Sequence, residues 1–155
     1  MTQVDELLTF LREAVTPFHA VQAMSRRLAD AGFEAVESFD PDTMVPGRGY
    51  FMTRQGSSLI ALRAGQGEPA QGLRLVGAHT DSPNLSVKPN PVVGRGGCVQ
   101  LGVDVYGGAL LNPWFDRDLA LAGRVTVLNA QGQLESVLFD SGTAVAVVPS
   151  LAIHL

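Results

Sequence analysis

Apolar residues recur at Val4, Leu7, Leu8, Leu11 and Val15, the spacing of one helix face. Asp5 and Glu6 fall in the first turn, where the helix dipole favours negative charge. Thr16-Pro17 breaks the pattern, and Pro17 suits the first position of a second helix. Ala20, Val21, Met24 and Leu28 give that helix an apolar face, and Gly32 is placed to cap its C-terminus. Phe33 to Val36 reads as a short strand. Asp40-Pro41-Asp42 and Pro46-Gly47 are turn signals. Tyr50 to Thr53 and Leu59 to Leu62 predict two strands joined around Gln55-Gly56. Residues 64–72, rich in Gly, Gln and Pro, read as an exposed loop. Leu73-Arg74-Leu75-Val76-Gly77-Ala78 is a short apolar run, which predicts a buried strand delivering His79 at its C-terminal end.

After Pro91 the pattern changes. Gly94, Gly96 and Gly97 fall close together, and strand-like runs follow at Val99–Val105, Leu121–Leu128, Leu134–Phe139 and Ala144–Val148. Ala130-Gln131-Gly132 reads as a hairpin turn. Mixed helix and strand thus gives way to strand alone, which predicts an α/β region followed by a β-rich domain beginning near residue 92. The sequence stops on Pro149-Ser150-Leu151-Ala152-Ile153-His154-Leu155, with no charge and no polar tail. Free termini usually sit in water, so this end reads as a cut.

Composition narrows the function classes. A chain of 155 residues, 46% hydrophobic and 17% charged, is about one domain long and apolar enough to bury a core. A net charge of −4, with 11 basic residues scattered along the chain, argues against a nucleic-acid partner. The single cysteine, Cys98, cannot form an internal disulfide and points to a reducing compartment. Its strand-like surroundings suggest a small buried hydrophobe. Met1 to Glu6 lacks the basic and apolar regions of a signal peptide, and no long apolar window suggests a membrane span. A soluble cytoplasmic protein is the expectation.

Local motifs offer little chemistry except at one place. His19, His79 and His154 are too far apart for a local zinc motif. Neither a Gly-x-Ser-x-Gly elbow nor a Walker loop is present, and no helix pattern follows Gly94-Arg95-Gly96-Gly97 to make a phosphate cradle. Gly77-Ala78-His79-Thr80-Asp81-Ser82-Pro83 stands out. Its histidine follows an expected core strand, where ligand sites of α/β sheets collect. An acidic residue two positions on can hydrogen-bond a ligand histidine and fix its tautomer. A solvated Asp-Ser-Pro turn is the plainer reading of the same residues.

The run from Gly77 to Pro89, Gly-Ala-His-Thr-Asp-Ser-Pro-Asn-Leu-Ser-Val-Lys-Pro, resembles the signature of the aspartyl aminopeptidase family. Further blocks match in the family's order: Pro17-Phe18-His19-Ala20-Val21 with Ala31-Gly32-Phe33, Val105-Tyr106-Gly107-Gly108, Trp114 to Val125, and Pro149 to Leu155. The resemblance implies a two-zinc exopeptidase that removes N-terminal Asp or Glu from peptides. By position it makes His79 a metal ligand and Asp81 the catalytic acidic partner that orients the histidine side of the site. It makes His154 a substrate-holding residue that reaches the neighbouring subunit's active site, which ties activity to a homo-oligomer. It places Asp116 and Asp118 at a domain junction, where a turn or an ion pair with Arg117 is expected. In such a site paired metals activate a bridging water and polarise the scissile carbonyl, and a glutamate moves the proton.

The remaining ligands of the family, among them a Glu-Glu pair, have no counterpart motif in these 155 residues. One histidine cannot hold two zincs, since each needs about three protein ligands. The resemblance implies an N-terminal segment of a discontinuous catalytic domain over residues 1–92, then the start of a β-rich dimerisation domain over 93–155. On its own this chain is expected to be inactive. The alternative is a non-catalytic assembly or interaction module derived from the same family, its open sheet edges covered by a partner.

Overall fold

The structure is a computed structural model describing residues 2–67, 72–95 and 97–151. Thr2 caps α1 (Gln3–Glu13) through a reciprocal box. Asp5 N–H donates to Thr2 Oγ1 at 3.2 Å, and Thr2 N–H donates to Asp5 Oδ2 at 2.8 Å. Thr16 caps α2 (Pro17–Asp30), with Pro17 at the first helical position. Gly32, at φ +80°, turns the chain out of α2, and Phe33 N–H returns to Leu28 O at 2.9 Å.

Seven strands follow among the described residues: β1 (Glu34–Ala35), β2 (Gly49–Arg54), β3 (Ser58–Arg63), β4 (Asn84–Arg95), β5 (Cys98–Tyr106), β6 (Ala122–Leu128) and β7 (Leu134–Asp140). β2 is central in a three-stranded sheet, parallel to β1 and antiparallel to β3. The β4–β5 and β6–β7 pairs are antiparallel hairpins. Asn129 shapes the second turn by accepting Gln131 N–H at 3.0 Å and Gln133 N–H at 2.9 Å on its side chain.

Two compact units divide the chain. The first comprises Met1–Thr80 with Ala122–Asp140, and the second Asp81–Leu121 with Ser141–Leu155. Residue 92, where the pattern of the sequence changes, lies inside β4. In the first unit α2 packs on the β1–β2–β3 sheet. Ala20, Val21 and Ala23 of the helix and Tyr50, Phe51 and Met52 of β2 are its buried hydrophobic side chains. Gly49 is obligatory there, because a Cβ would stand 2.5 Å from the Phe33 ring. The second unit is organised by the long β4–β5 ladder and by bridges from Phe115 to Val148 and from Leu119 to Ala146.

Several sequence expectations change. The run Leu73–Ala78 forms no strand, and Leu73, Leu75 and Val76 are 77%, 87% and 95% exposed. A continuous apolar run suits a strand covered on both faces of a parallel sheet, and no strand beside it exists among the described residues. The expected strand at Ala144–Val148 shrinks to two isolated bridges. The apolar face of α1 also stays open, with Val4, Leu7, Leu8 and Leu11 exposed. Cys98 is exposed at the start of β5 rather than buried. β4 is an unexpected strand: Pro89 and Pro91 interrupt its pattern, and the ladder shifts register between Val87 and Val92 to accommodate them.

Gly49→Ala should lower stability by roughly 1–3 kcal/mol, the typical cost of overpacking, read as a lower urea midpoint. Gly123→Ala, where an added Cβ meets nothing within 4 Å, should change it by less than about 0.5 kcal/mol.

Candidate active site

His79 and Asp81 flank the division between the two units. His79 belongs to the first and is exposed, at the end of the extended apolar run. Thr80 between them is anchored, since its Oγ1 donates to Ser57 O in the β2–β3 turn at 2.8 Å. Gly56 in that turn is left-handed, at φ +69°. The hairpin expected around Gln55-Gly56 therefore has a second use as the attachment point of the His79 loop.

Asp81 opens the second unit, and its position there is set by the β4–β5 ladder. Asn84, the first residue of β4, pairs with Tyr106, the last of β5. The chain just before Asn84 thus runs beside the chain around Tyr106. Asn84 Nδ2 donates to Ser82 O at 2.8 Å and holds the approach to the strand. Gly107, at φ +67°, lies against Pro83, where an added Cβ would stand 3.6 Å from the proline ring. The Tyr106 hydroxyl donates to Asp81 Oδ2 at 2.6 Å. This charge-assisted bond, with the negative carboxylate beside it, pushes the phenol above its ordinary pKa.

Other candidates take structural positions. His19 sits in the first turn of α2, its Nδ1 2.7 Å from the capping Thr16 hydroxyl. Lys88 Nζ pairs with Asp104 Oδ1 at 3.1 Å across the β4–β5 ladder. Of the two alternatives expected at Asp116, the turn is the one that forms: Asp116 accepts the Ser150 hydroxyl and Ser150 N–H, the latter at 2.9 Å, which hold its carboxyl below the usual aspartate value. Arg117 instead donates to Pro113 O at 3.4 Å. Asp116 is left-handed at φ +52° and bonds Val148 O through its own N–H, so it ties the segment 148–150 to the Phe115–Asp116 turn. His154 lies outside the described residues. Tyr106 falls within a matching block but has no role legible in the sequence, because only the fold brings it to a residue 25 positions away.

The donor chemistry fits a zinc site in part. Imidazole and carboxylate are both zinc donors, yet no group of three His, Cys, Asp or Glu side chains gathers among the described residues. A closed site needs donors beyond these.

Residues 10–155 match the family model described as Aminopeptidase I zinc metalloprotease (M18). The chain belongs to the M18 aminopeptidase family. It is 56% identical over 150 residues to the probable M18 family aminopeptidase 2 of Pseudomonas paraeruginosa, and 54% identical to that of Azotobacter vinelandii. Those alignments cover 96% of this chain and 35% of each relative, so the chain spans about a third of the curated relatives' length. Among solved structures, one chain of the Ape4 and Nbr1 complex superposes with a TM-score of 0.88 at 38% identity. That match covers 96% of this chain and 29% of the other. Chaetomium thermophilum mApe1 gives 0.82 at 35% identity, covering 96% and 35%. These matches establish an α/β M18 fold of which this chain is one portion.

Two titrations follow from this geometry. The Tyr106 phenol should ionise above the free tyrosine value, and Asp81→Asn should bring it back down, followed by phenolate absorbance with Tyr106→Phe as the blank. Asp116 has a depressed folded pKa, so it stabilises the fold above the unfolded aspartate value and loses that contribution as pH falls through the folded one. Ser150→Ala should therefore lower the thermal midpoint at neutral pH, and the difference from wild type should close on acidification.

Proposed function

We propose that this chain is the N-terminal part of a zinc aminopeptidase that removes acidic residues from peptide N-termini. The match of residues 10–155 to a zinc metalloprotease family carries the reading, because it takes in the whole Gly77–Pro89 run. In this reading His79 is a zinc ligand and Asp81 the acidic partner that orients the histidine side of the site. Residues 1–92 form the first segment of the catalytic domain and 93–155 the start of a dimerisation domain. His154 reaches the substrate of a neighbouring subunit in a cytoplasmic homo-oligomer. When bound, zinc supplies an activated water and a polarised carbonyl, two metals to a site.

The exposed run at Leu73–Ala78 supports a larger parent. Covering a leucine or valine side chain is worth about 1.5–3 kcal/mol. Leaving three of them in water forfeits an amount comparable to much of a domain's net stability of roughly 5–15 kcal/mol. Strands from the remaining two thirds of a relative-sized polypeptide are the natural cover. The rival reading is an assembly module from the same family, favoured by the absence of a three-donor cluster among the described residues. A reading frame that continues past codon 155 into a Glu-Glu pair supports the enzyme, and a native stop there supports the module.

The 155-residue chain with added zinc or cobalt should not hydrolyse a peptide bearing N-terminal Asp. Turnover that survives repurification and disappears with His79→Ala would refute this. In the full-length polypeptide His79→Ala should remove zinc and activity together, by more than the about 10–100-fold that outer-shell changes cost. Elemental analysis showing full zinc occupancy in that variant would take His79 out of the site.

A further inference from the structure

We propose that Tyr106 is a positioning residue for Asp81, fixing the orientation of its carboxylate through a donated hydrogen bond. The inference rests on the reading above, in which Asp81 serves the metal site. Four observations within the second unit carry it. The hydroxyl stands 2.6 Å from Asp81 Oδ2, within the range of short O–H···O⁻ bonds. The Asn84–Tyr106 pair puts the base of the tyrosine at a fixed register beside the Asp81 loop. A Cβ added at Gly107 would stand 3.6 Å from the Pro83 ring, so the two stretches run close over more than one residue. Asn84 Nδ2 on Ser82 O limits the freedom of the residues between Asp81 and the ladder.

Stability alone is a poor account of this bond. Tyr106 is 48% exposed, and a solvent-accessible hydrogen bond contributes little to folding. A half-buried carboxylate can still rotate between orientations, and a donor mounted on the last residue of a nine-residue strand favours one of them. Outer partners of this kind orient metal-site residues, and losing one typically costs about 10–100-fold in metal affinity or activity. The β4–β5 ladder gives the Tyr106 donor a fixed mount beside Asp81.

A double-mutant cycle in the full-length polypeptide tests the role, using Tyr106→Phe, Asp81→Asn and the pair. The readouts are kcat and KM on a peptide with N-terminal Asp, zinc affinity by chelator competition, and the thermal midpoint. Tyr106→Phe should lower kcat about 10-fold. KM should change by less than about twofold and the midpoint by no more than about 2 °C. In the Asp81→Asn background the same change should cost nothing further, since its target is gone. Equal losses in both backgrounds, no loss in either, or a lowered midpoint with unchanged rates would overturn the proposal. If the wild-type polypeptide cleaves no such peptide, the functional reading fails by itself and the cycle is scored on zinc affinity. There a roughly 10-fold loosening by Tyr106→Phe that requires Asp81 sustains the positioning role, and unchanged affinity removes it.

Discussion

Backbone hydrogen bonding governs what this chain can build. Every peptide group taken out of water must find a partner, so an apolar run becomes a buried strand only where neighbouring strands complete its ladder. β2 meets that condition, lying between β1 and β3 with α2 across it, and its first four residues are buried. Leu73–Ala78 does not meet it, and its side chains stay in solvent despite their composition. The two segments are similarly apolar, and the availability of partners separates their fates.

That constraint shapes the candidate site. His79 follows a segment with no ladder of its own, and the neighbouring Thr80 hydroxyl donates to Ser57 O in the β2–β3 turn. Asp81 stands on a different footing, beside a closed hairpin whose register puts the Tyr106 hydroxyl on its carboxylate. The carboxylate side is thus ordered by the β4–β5 hairpin. Coordination arithmetic bears on the same point: a zinc needs about three protein ligands, and no group of three His, Cys, Asp or Glu gathers among the described residues.

Much of the local structure was legible in advance. Both helices, the acidic first turn of α1, the Thr16-Pro17 start of α2, the Gly32 exit and the β2–β3, β5 and β6–β7 strands follow from periodicity and turn chemistry. The misses share a cause. At β4, two prolines disguised a strand that the ladder tolerates by shifting register. At Ala144–Val148 and Leu73–Ala78, strand-like composition met too few partners. Cys98 shows the same limit, being in a strand as expected and yet exposed.

Sequence alone determined the elements that depend on near neighbours, and, through the Gly77–Pro89 run, the family to which the chain belongs. Caps, turns and helix faces are decided within about four residues, a range over which pattern suffices. Only the tertiary structure decided which apolar segments find cover, and that Tyr106 reaches Asp81 while Asp116 holds Ser150. Those pairings join residues 25 and 34 positions apart, and their geometry comes from ladder register and chain reversal, which no local pattern encodes.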